Sequence, residues 1–89
     1  MIFVIIYLLI YINGWLQMSI INCKIGEFHE IKSINTNDNE LLQRLYSMGI
    51  FEGNLIALEH ISAFHNTYSI SVYGSQIALR KSEAEIIEV

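Results

Sequence analysis

The stretch TYSISVYGSQIALR, residues 67–80, constrains the fold of this 89-residue chain more than any other. Tyr68, Ile70 and Val72 alternate with polar or outward residues, which is the period of a strand with one buried face. A second short run, SQIALR, follows, and Gly74 lies between the two runs. Because a glycine in so short a connection favours a tight turn, the pattern predicts a β-hairpin and a mainly β domain.

One short helix is predicted ahead of this hairpin. Leucines and a methionine recur at helical spacing over residues 38–48. Asn37 and Glu40 have the form of a capping box at its start. Gly49 follows the last turn, where a left-handed cap favours a residue without a Cβ atom. We expect Gly53 to turn the chain into the next strand.

A glycine pair of this kind also raises the question of a phosphate-binding loop. Phosphate loops precede a helix and use its N-terminal amides, whereas Gly49 and Gly53 follow one. Glu52, between them, carries the wrong charge. The pair is therefore interpreted as a helix end and a strand start, with a short displayed loop between them.

Three further runs are expected to form strands: residues 28–34, 54–62 and 86–89. In the first, Ile31 and Ile34 are three residues apart, which suggests a bulge or a bend. Several short strands and one helix in so small a domain predict a closed β-barrel, because closure leaves no exposed strand edge.

The apolar residues are concentrated at the N terminus, where 14 of the first 17 residues are apolar. The uninterrupted run, residues 1–12, is shorter than the roughly 17–25 residues of a membrane-spanning helix. No basic residue precedes Lys24, so a secretory signal is not indicated. Three interpretations of residues 1–17 stay open: translation that begins at Met18, a membrane anchor, or a buried strand or helix. We expect one domain over residues 18–89.

Composition argues against several classes of function. A net charge of −4 disfavours a nucleic-acid-binding protein, which normally carries a basic face. The single cysteine, Cys23, forms no internal disulfide, and this favours a reducing compartment. Its sequence neighbours include no group that would make it a reactive nucleophile. A chain of this length has little room for a catalytic cleft, so we do not expect an enzyme.

His29, His60 and His65 are the candidate metal-ligating residues. No pair of them has the spacing of a zinc finger or a metalloprotease site, so solvated or loop-capping histidines are the favoured interpretation. By strand alternation His60 shares the inward phase of Ile56 and Leu58, at the end of its strand. No cofactor is assigned, and ferrous iron or another transition metal is kept as the alternative.

Three separated blocks, residues 23–34, 41–60 and 69–89, resemble the FeoA family, ferrous iron transport protein A. The first block, CKIGEFHEIKSI, looks like the family's opening segment and first strand. The second, LLQRLYSMGIFEGNLIALEH, is similar to its helix, its Met-Gly-Ile or Leu-Gly-Leu motif and the following strand. The third, SISVYGSQIALRKSEAEIIEV, resembles its final strands and glycine turn. Glu52 stands where the family commonly has proline, which is a departure confined to a loop.

The resemblance implies an SH3-like β-barrel and a small cytoplasmic accessory protein of a FeoB-type membrane ferrous iron transporter. It places the protein at the inner face of the plasma membrane, which the partner or residues 1–17 would contact. The alternative is a transition-metal-binding regulatory module, because the same type of domain ends iron-dependent repressors. The exposed aromatic residues Phe51, Phe64 and Tyr73 are the predicted partner contacts.

Overall fold

The structure, a computed structural model, describes residues 18–89. The elements in chain order are a 3₁₀ turn at Ile20–Asn22, β1 (Phe28–Glu30), β2 (Ser33–Ile34), α1 (Asn39–Ser47), β3 (Leu55–Ile61), β4 (Thr67–Val72), β5 (Ser75–Arg80), α2 (Lys81–Ala84) and β6 (Ile87–Glu88). The predicted mainly β fold with one main helix is confirmed. The three interpretations of residues 1–17 lie outside the described residues.

The strands form two antiparallel sheets, one of four strands in the order β1-β3-β4-β5 and one of the two strands β2 and β6. Within residues 18–89, β1 pairs only with β3 and β5 pairs only with β4. The predicted closed barrel is therefore not found, and the fold prediction is confirmed only in its coarser part. The physical reason is that β1 ends after three residues, and the chain then crosses to pair with β6.

The β4–β5 hairpin has the predicted form. Six residue pairs join the two strands, and the connection between them is only Tyr73 and Gly74. Both connecting residues have positive φ, 50° for Tyr73 and 80° for Gly74, which is the pattern of a type I′ turn. Tyr68, Ile70 and Val72 are buried, as the alternation predicts.

The predicted strand over residues 28–34 bends in its middle. Ile31 is buried between β1 and β2, and its N–H donates to the Asn54 carbonyl at 2.9 Å. Its own carbonyl accepts from the Gly53 N–H at 2.8 Å. These two bonds hold the bend against the loop after α1, so the expected bend is present.

The N-cap of helix α1 lies one residue later than predicted. Oδ1 of Asp38 accepts from the Leu41 N–H at 3.1 Å, and Oγ1 of Thr36 accepts from the Asp38 N–H at 3.0 Å. The cap is therefore Asp38, and the assignment of Asn37 was wrong, because the Asp38 carboxylate reaches the third amide of the helix.

At the other end of α1, Gly49 has a φ of 89°. Its N–H donates to the Tyr46 carbonyl at 3.1 Å, and the Ile50 N–H donates to the Leu45 carbonyl at 2.9 Å. These two bonds form a Schellman motif. Leu45 and Ile50 are both fully buried, so the helix end is also fixed by packing.

One hydrophobic core lies beneath the four-stranded sheet and α1. The largest fully buried side chains in it are Ile20, Ile31, Leu45, Ile50, Ile56, Leu58, Ile70, Ile87 and Val72. Full burial of each such side chain contributes about 1.5–3 kcal/mol, so the core is the main source of stability.

The two ends of the described domain meet beside β6. Ser19 forms an antiparallel bridge with Glu88, and the Val89 N–H donates to the Met18 carbonyl at 2.8 Å. Over residues 18–89, no helix combines the length and apolar character that crossing a membrane requires.

Candidate functional site

Two of the three predicted contact residues lie at the same end of the domain. Phe51, in the loop after α1, is 38% exposed, and Tyr73, in the hairpin turn, is 78% exposed. A Cβ atom added at Gly49 would lie 3.7 Å from Cδ2 of Tyr73. The Tyr73 ring therefore lies beside the start of the loop that carries Phe51.

Tyr46 lies next to Phe51. Tyr46, Phe51 and Tyr73 together are called the aromatic corner below. Its ring meets Phe51 edge to face, with ring centroids 6.5 Å apart and planes at 86°. Its O–H donates to Oε2 of Glu52 at 2.9 Å. This hydrogen bond, followed by desolvation and the Glu52 charge, raises the pKa of Tyr46. Sequence reasoning missed Tyr46, because it reads only as a solvent-facing helix residue.

Phe64 lies elsewhere, in the loop between β3 and β4. The six residues of β4 separate this loop from Tyr73 by about 20 Å. Oγ of Ser62 accepts from the N–H groups of Asn66 and Thr67 at 3.2 and 3.1 Å, which fixes the loop. Phe64 projects from it with 89% of its surface exposed. The three predicted aromatic contacts are therefore divided between two surfaces.

Exposed apolar side chains also lie on the outer face of the four-stranded sheet. Leu55 and Phe28 are 56% and 60% exposed. The β1–β3 register pairs Phe28 with Ala57 and Glu30 with Leu55, so Phe28 and Leu55 lie on the same outer face of the sheet. Sequence reasoning missed both residues. The alternation of β3 could have identified Leu55, because it lies on the opposite face of the strand from the inward-facing Ile56.

The three histidines lie on separate segments. Nε2 of His29 is 3.1 Å from Oε1 of Glu27 without forming a hydrogen bond, so the contact is an ion pair when the imidazole is protonated. His65 lies in the loop with Phe64, at a φ of 56°. Among residues 18–89, no three His, Cys, Asp or Glu side chains are grouped so that they could hold a metal ion.

The inward placement of His60 was wrong. The register of β3 against β4 shifts between Leu58 and His60, so the alternation reverses after Leu58. His60 is exposed, and Ile61 packs against the core in its place. The bulge therefore turns this histidine outward.

Cys23 is buried, and its Sγ–H donates to the Ser19 carbonyl at 3.6 Å. Burial raises the pKa of the Cys23 thiol, and the nearby Glu27 charge adds to the effect. A raised pKa keeps the thiol protonated at neutral pH, so the site lacks the thiolate that a nucleophile needs.

We expect Cys23 to react with iodoacetamide at least ~10-fold more slowly in the native protein than in urea, near neutral pH. The raised pKa lowers the thiolate fraction, and burial limits access. Mass spectrometry of the alkylated protein over time measures the rate. Glu27→Gln is the matched variant and should speed the native reaction slightly, because it removes the nearby charge. Equal rates in buffer and urea would contradict the buried placement.

Comparison with known proteins identifies the family of this chain. The FeoA domain model matches residues 18–89. The chain belongs to the FeoA family. A search of the curated proteins finds no match.

Solved FeoA structures have a similar fold. Iron(II) transport protein A from Clostridium thermocellum is 27% identical, with a TM-score of 0.73, over 80% of this chain and 43% of that chain. The FeoA protein from Chlorobium tepidum is 21% identical, with a TM-score of 0.72, over 79% of this chain and 66% of that one. The match thus spans less than two thirds of either FeoA chain.

The fold also occurs outside the transport proteins. A manganese-dependent transcriptional repressor has a TM-score of 0.73 at 19% identity, over 83% of this chain and 41% of the repressor. At that identity the likeness concerns the fold alone. A domain of this fold therefore occurs in both an iron(II) transport protein and a manganese-dependent repressor.

Proposed function

We propose that this FeoA-family protein is an accessory protein of FeoB-type ferrous iron uptake that acts by binding a protein partner, without a catalytic step. Family membership supports the link to iron uptake. The observation that carries the binding role is the exposed apolar surface of the aromatic corner and Leu55. Exposed apolar surface with aromatic side chains is typical of protein interaction sites.

The proposed partner determines the proposed location. A FeoB-type transporter lies in the membrane, so the FeoA-family domain would work in the cytoplasm at the inner face of the plasma membrane. Any membrane contact would come through the transporter or through residues 1–17. Phe64, on its separate loop, remains a second predicted contact.

The alternative is a transition-metal-binding regulatory module. The likeness to a manganese-dependent repressor supports it at the level of the fold. The described part of the chain offers no cluster of metal-ligating side chains, and His29, His60 and His65 lie on separate segments. Protein binding is therefore the function that the geometry supports better.

The test is co-purification with a FeoB-type transporter, together with cellular uptake of ferrous iron. We expect the double variant Phe51→Ala/Tyr73→Ala to weaken the association at least ~10-fold, because it removes two exposed aromatic contacts. Phe64→Ala is measured separately, and we expect a smaller loss. Gln43→Ala, an exposed change on α1, is the control.

Both aromatic side chains are exposed, so the double variant should stay folded, and circular dichroism checks this. A folded Phe51→Ala/Tyr73→Ala protein that keeps full association and iron uptake would contradict the aromatic corner as the contact. Wild-type protein that never associates with the transporter would contradict the proposed function itself.

A further inference from the structure

The outer edge of β5 has no strand beside it within residues 18–89. The Lys81 N–H donates to the Asn66 carbonyl, which fixes the phase of the β4–β5 hydrogen bonds. Counting back along β5 in that phase, the backbone groups of Gln76 and Ala78 point away from β4. Both residues are exposed. The edge therefore presents two N–H groups and two carbonyls to an incoming strand.

The edge is closed at its C-terminal end. The Arg80 N–H, which has the same outward phase, donates to Oε1 of Glu83 at 2.9 Å. Since α2 begins directly after Arg80, an added strand has a defined stop there. The available segment is thus short, and it suits an extended peptide better than a long strand.

A groove lies at the C-terminal part of this edge, between residues 78–80 of β5, α1 and α2. Met48, at the end of α1, contributes a half-buried apolar side chain to it. The complete lining is Arg44, Met48, Thr67, Ala78, Leu79, Arg80 and Glu83. A peptide strand beside Ala78 would therefore lay side chains into a groove that combines apolar side chains with Arg44, Arg80 and Glu83.

The charge at this edge is opposite to that of the whole protein. Two of the five basic residues, Arg44 and Arg80, line the groove, and a third, Lys81, directly follows Arg80, although the net charge is −4. Arg44 is paired with Glu83. Arg80 and Lys81 are exposed and make no ion pair with any residue from 18 to 89. The groove therefore favours an acidic occupant.

We propose that the β5 edge binds an extended acidic peptide segment of a partner protein, which adds as a fifth strand of the sheet. The backbone of Gln76 and Ala78 supplies the main-chain hydrogen bonds, and Arg80 and Lys81 attract the acidic side chains. A second copy of this chain is disfavoured, because pairing two β5 edges would bring two basic groups together. The inference uses none of the aromatic corner and does not depend on a FeoB-type partner.

The test uses the full chain labelled with ¹⁵N and a synthetic peptide, Glu-Val-Asp-Val-Glu-Val-Asp with blocked ends. We expect the amide resonances of Gln76 and Ala78 to shift and their hydrogen exchange to slow, with a Kd of roughly 10–500 μM. Affinity should fall as salt rises, because the added contacts are exposed charges. A peptide with lysine in place of its acidic residues is the control and should not bind.

Two changes separate strand addition from simple charge attraction. N-methylation of the peptide backbone should lower the affinity at least ~10-fold, since it removes main-chain donors while keeping every charge. Arg80→Ala/Lys81→Ala should lower it at least ~5-fold, whereas the matched double variant Lys24→Ala/Lys32→Ala should leave it unchanged.

Three results would overturn the proposal: no shift at Gln76 and Ala78, indifference to backbone N-methylation, or shifts confined to the aromatic corner. Sedimentation of the protein without peptide tests the second-copy alternative, and a dimer that Ala78→Pro abolishes would replace the peptide as the occupant. Failure of this proposal leaves the transporter experiment unaffected, because that experiment changes other residues.

Discussion

Gly49→Ala is expected to destabilise the protein by about 3 kcal/mol, and Gly53→Ala by about 1 kcal/mol. The two glycines have almost the same backbone angle, with φ of 89° and 90°. Any L residue pays a similar conformational penalty at both positions, so the expected difference does not come from the backbone.

The difference comes from the space beside each glycine. A Cβ atom at Gly49 would lie 3.0 Å from Cγ1 of Val72, a buried residue of β4. At Gly53 no atom lies within 4 Å of the added Cβ. Val72 has little freedom to move in the core, so Gly49→Ala adds an overpacking term of about 1–3 kcal/mol to the shared penalty.

Urea denaturation followed by circular dichroism measures both free energies of unfolding. Gly26→Ala is a second control, because Gly26 also has positive φ, 84°, and open space around it. It should behave like Gly53→Ala. If the Gly49 and Gly53 variants lose the same stability, the close approach of Gly49 to Val72 is not a constraint on the fold.

Glu88→Ala is expected to destabilise the protein by about 2 kcal/mol. Glu88 is 8% exposed, and its carboxylate accepts hydrogen bonds from Oγ of Ser33 and from Nδ2 of Asn35. Its backbone carbonyl accepts from the Lys32 N–H at 2.8 Å. Loss of the carboxylate leaves two donors of the β2 segment without their acceptor, beside the smaller sheet.

The cause can be tested with a double-mutant cycle. In the background Ser33→Ala/Asn35→Ala, the further change Glu88→Ala should have a smaller effect, because its partners are already absent. Glu85→Ala, an exposed acid three residues earlier, is the matched control and should change stability by about 0.5 kcal/mol or less. Equal effects of Glu88→Ala in both backgrounds would show that these hydrogen bonds contribute nothing.

Local patterns were sufficient for the parts of the fold that local interactions determine. The period of residues 67–80 and the glycine in their connection predict the β4–β5 hairpin, and the leucine spacing predicts α1. Barrel closure could not be predicted in this way, because it depends on which distant strands pair. The end of β1 after three residues and the pairing of β2 with β6 arise from such long-range pairing.

The candidate site was predicted less completely. The sequence identifies Phe51, Phe64 and Tyr73 as exposed aromatic residues, but the length of β4 determines that Phe64 is separated from the other two. His60 turns outward because of a bulge in β3, and the sequence of β3 contains no residue that predicts this bulge. Leu55 and Tyr46 become part of the apolar surface only when β3 and α1 meet the same loop.

The meeting of the two chain ends beside β6 determines how this domain can be tethered. Because the Val89 N–H bonds to the Met18 carbonyl, residues 1–17 and any tag added after Val89 attach at the same point of the domain. A protein tethered through either end is therefore attached at the same place on the domain, and the same surfaces face away from the tether. Fusions to the two ends should therefore be interchangeable in binding experiments, apart from what residues 1–17 contribute themselves.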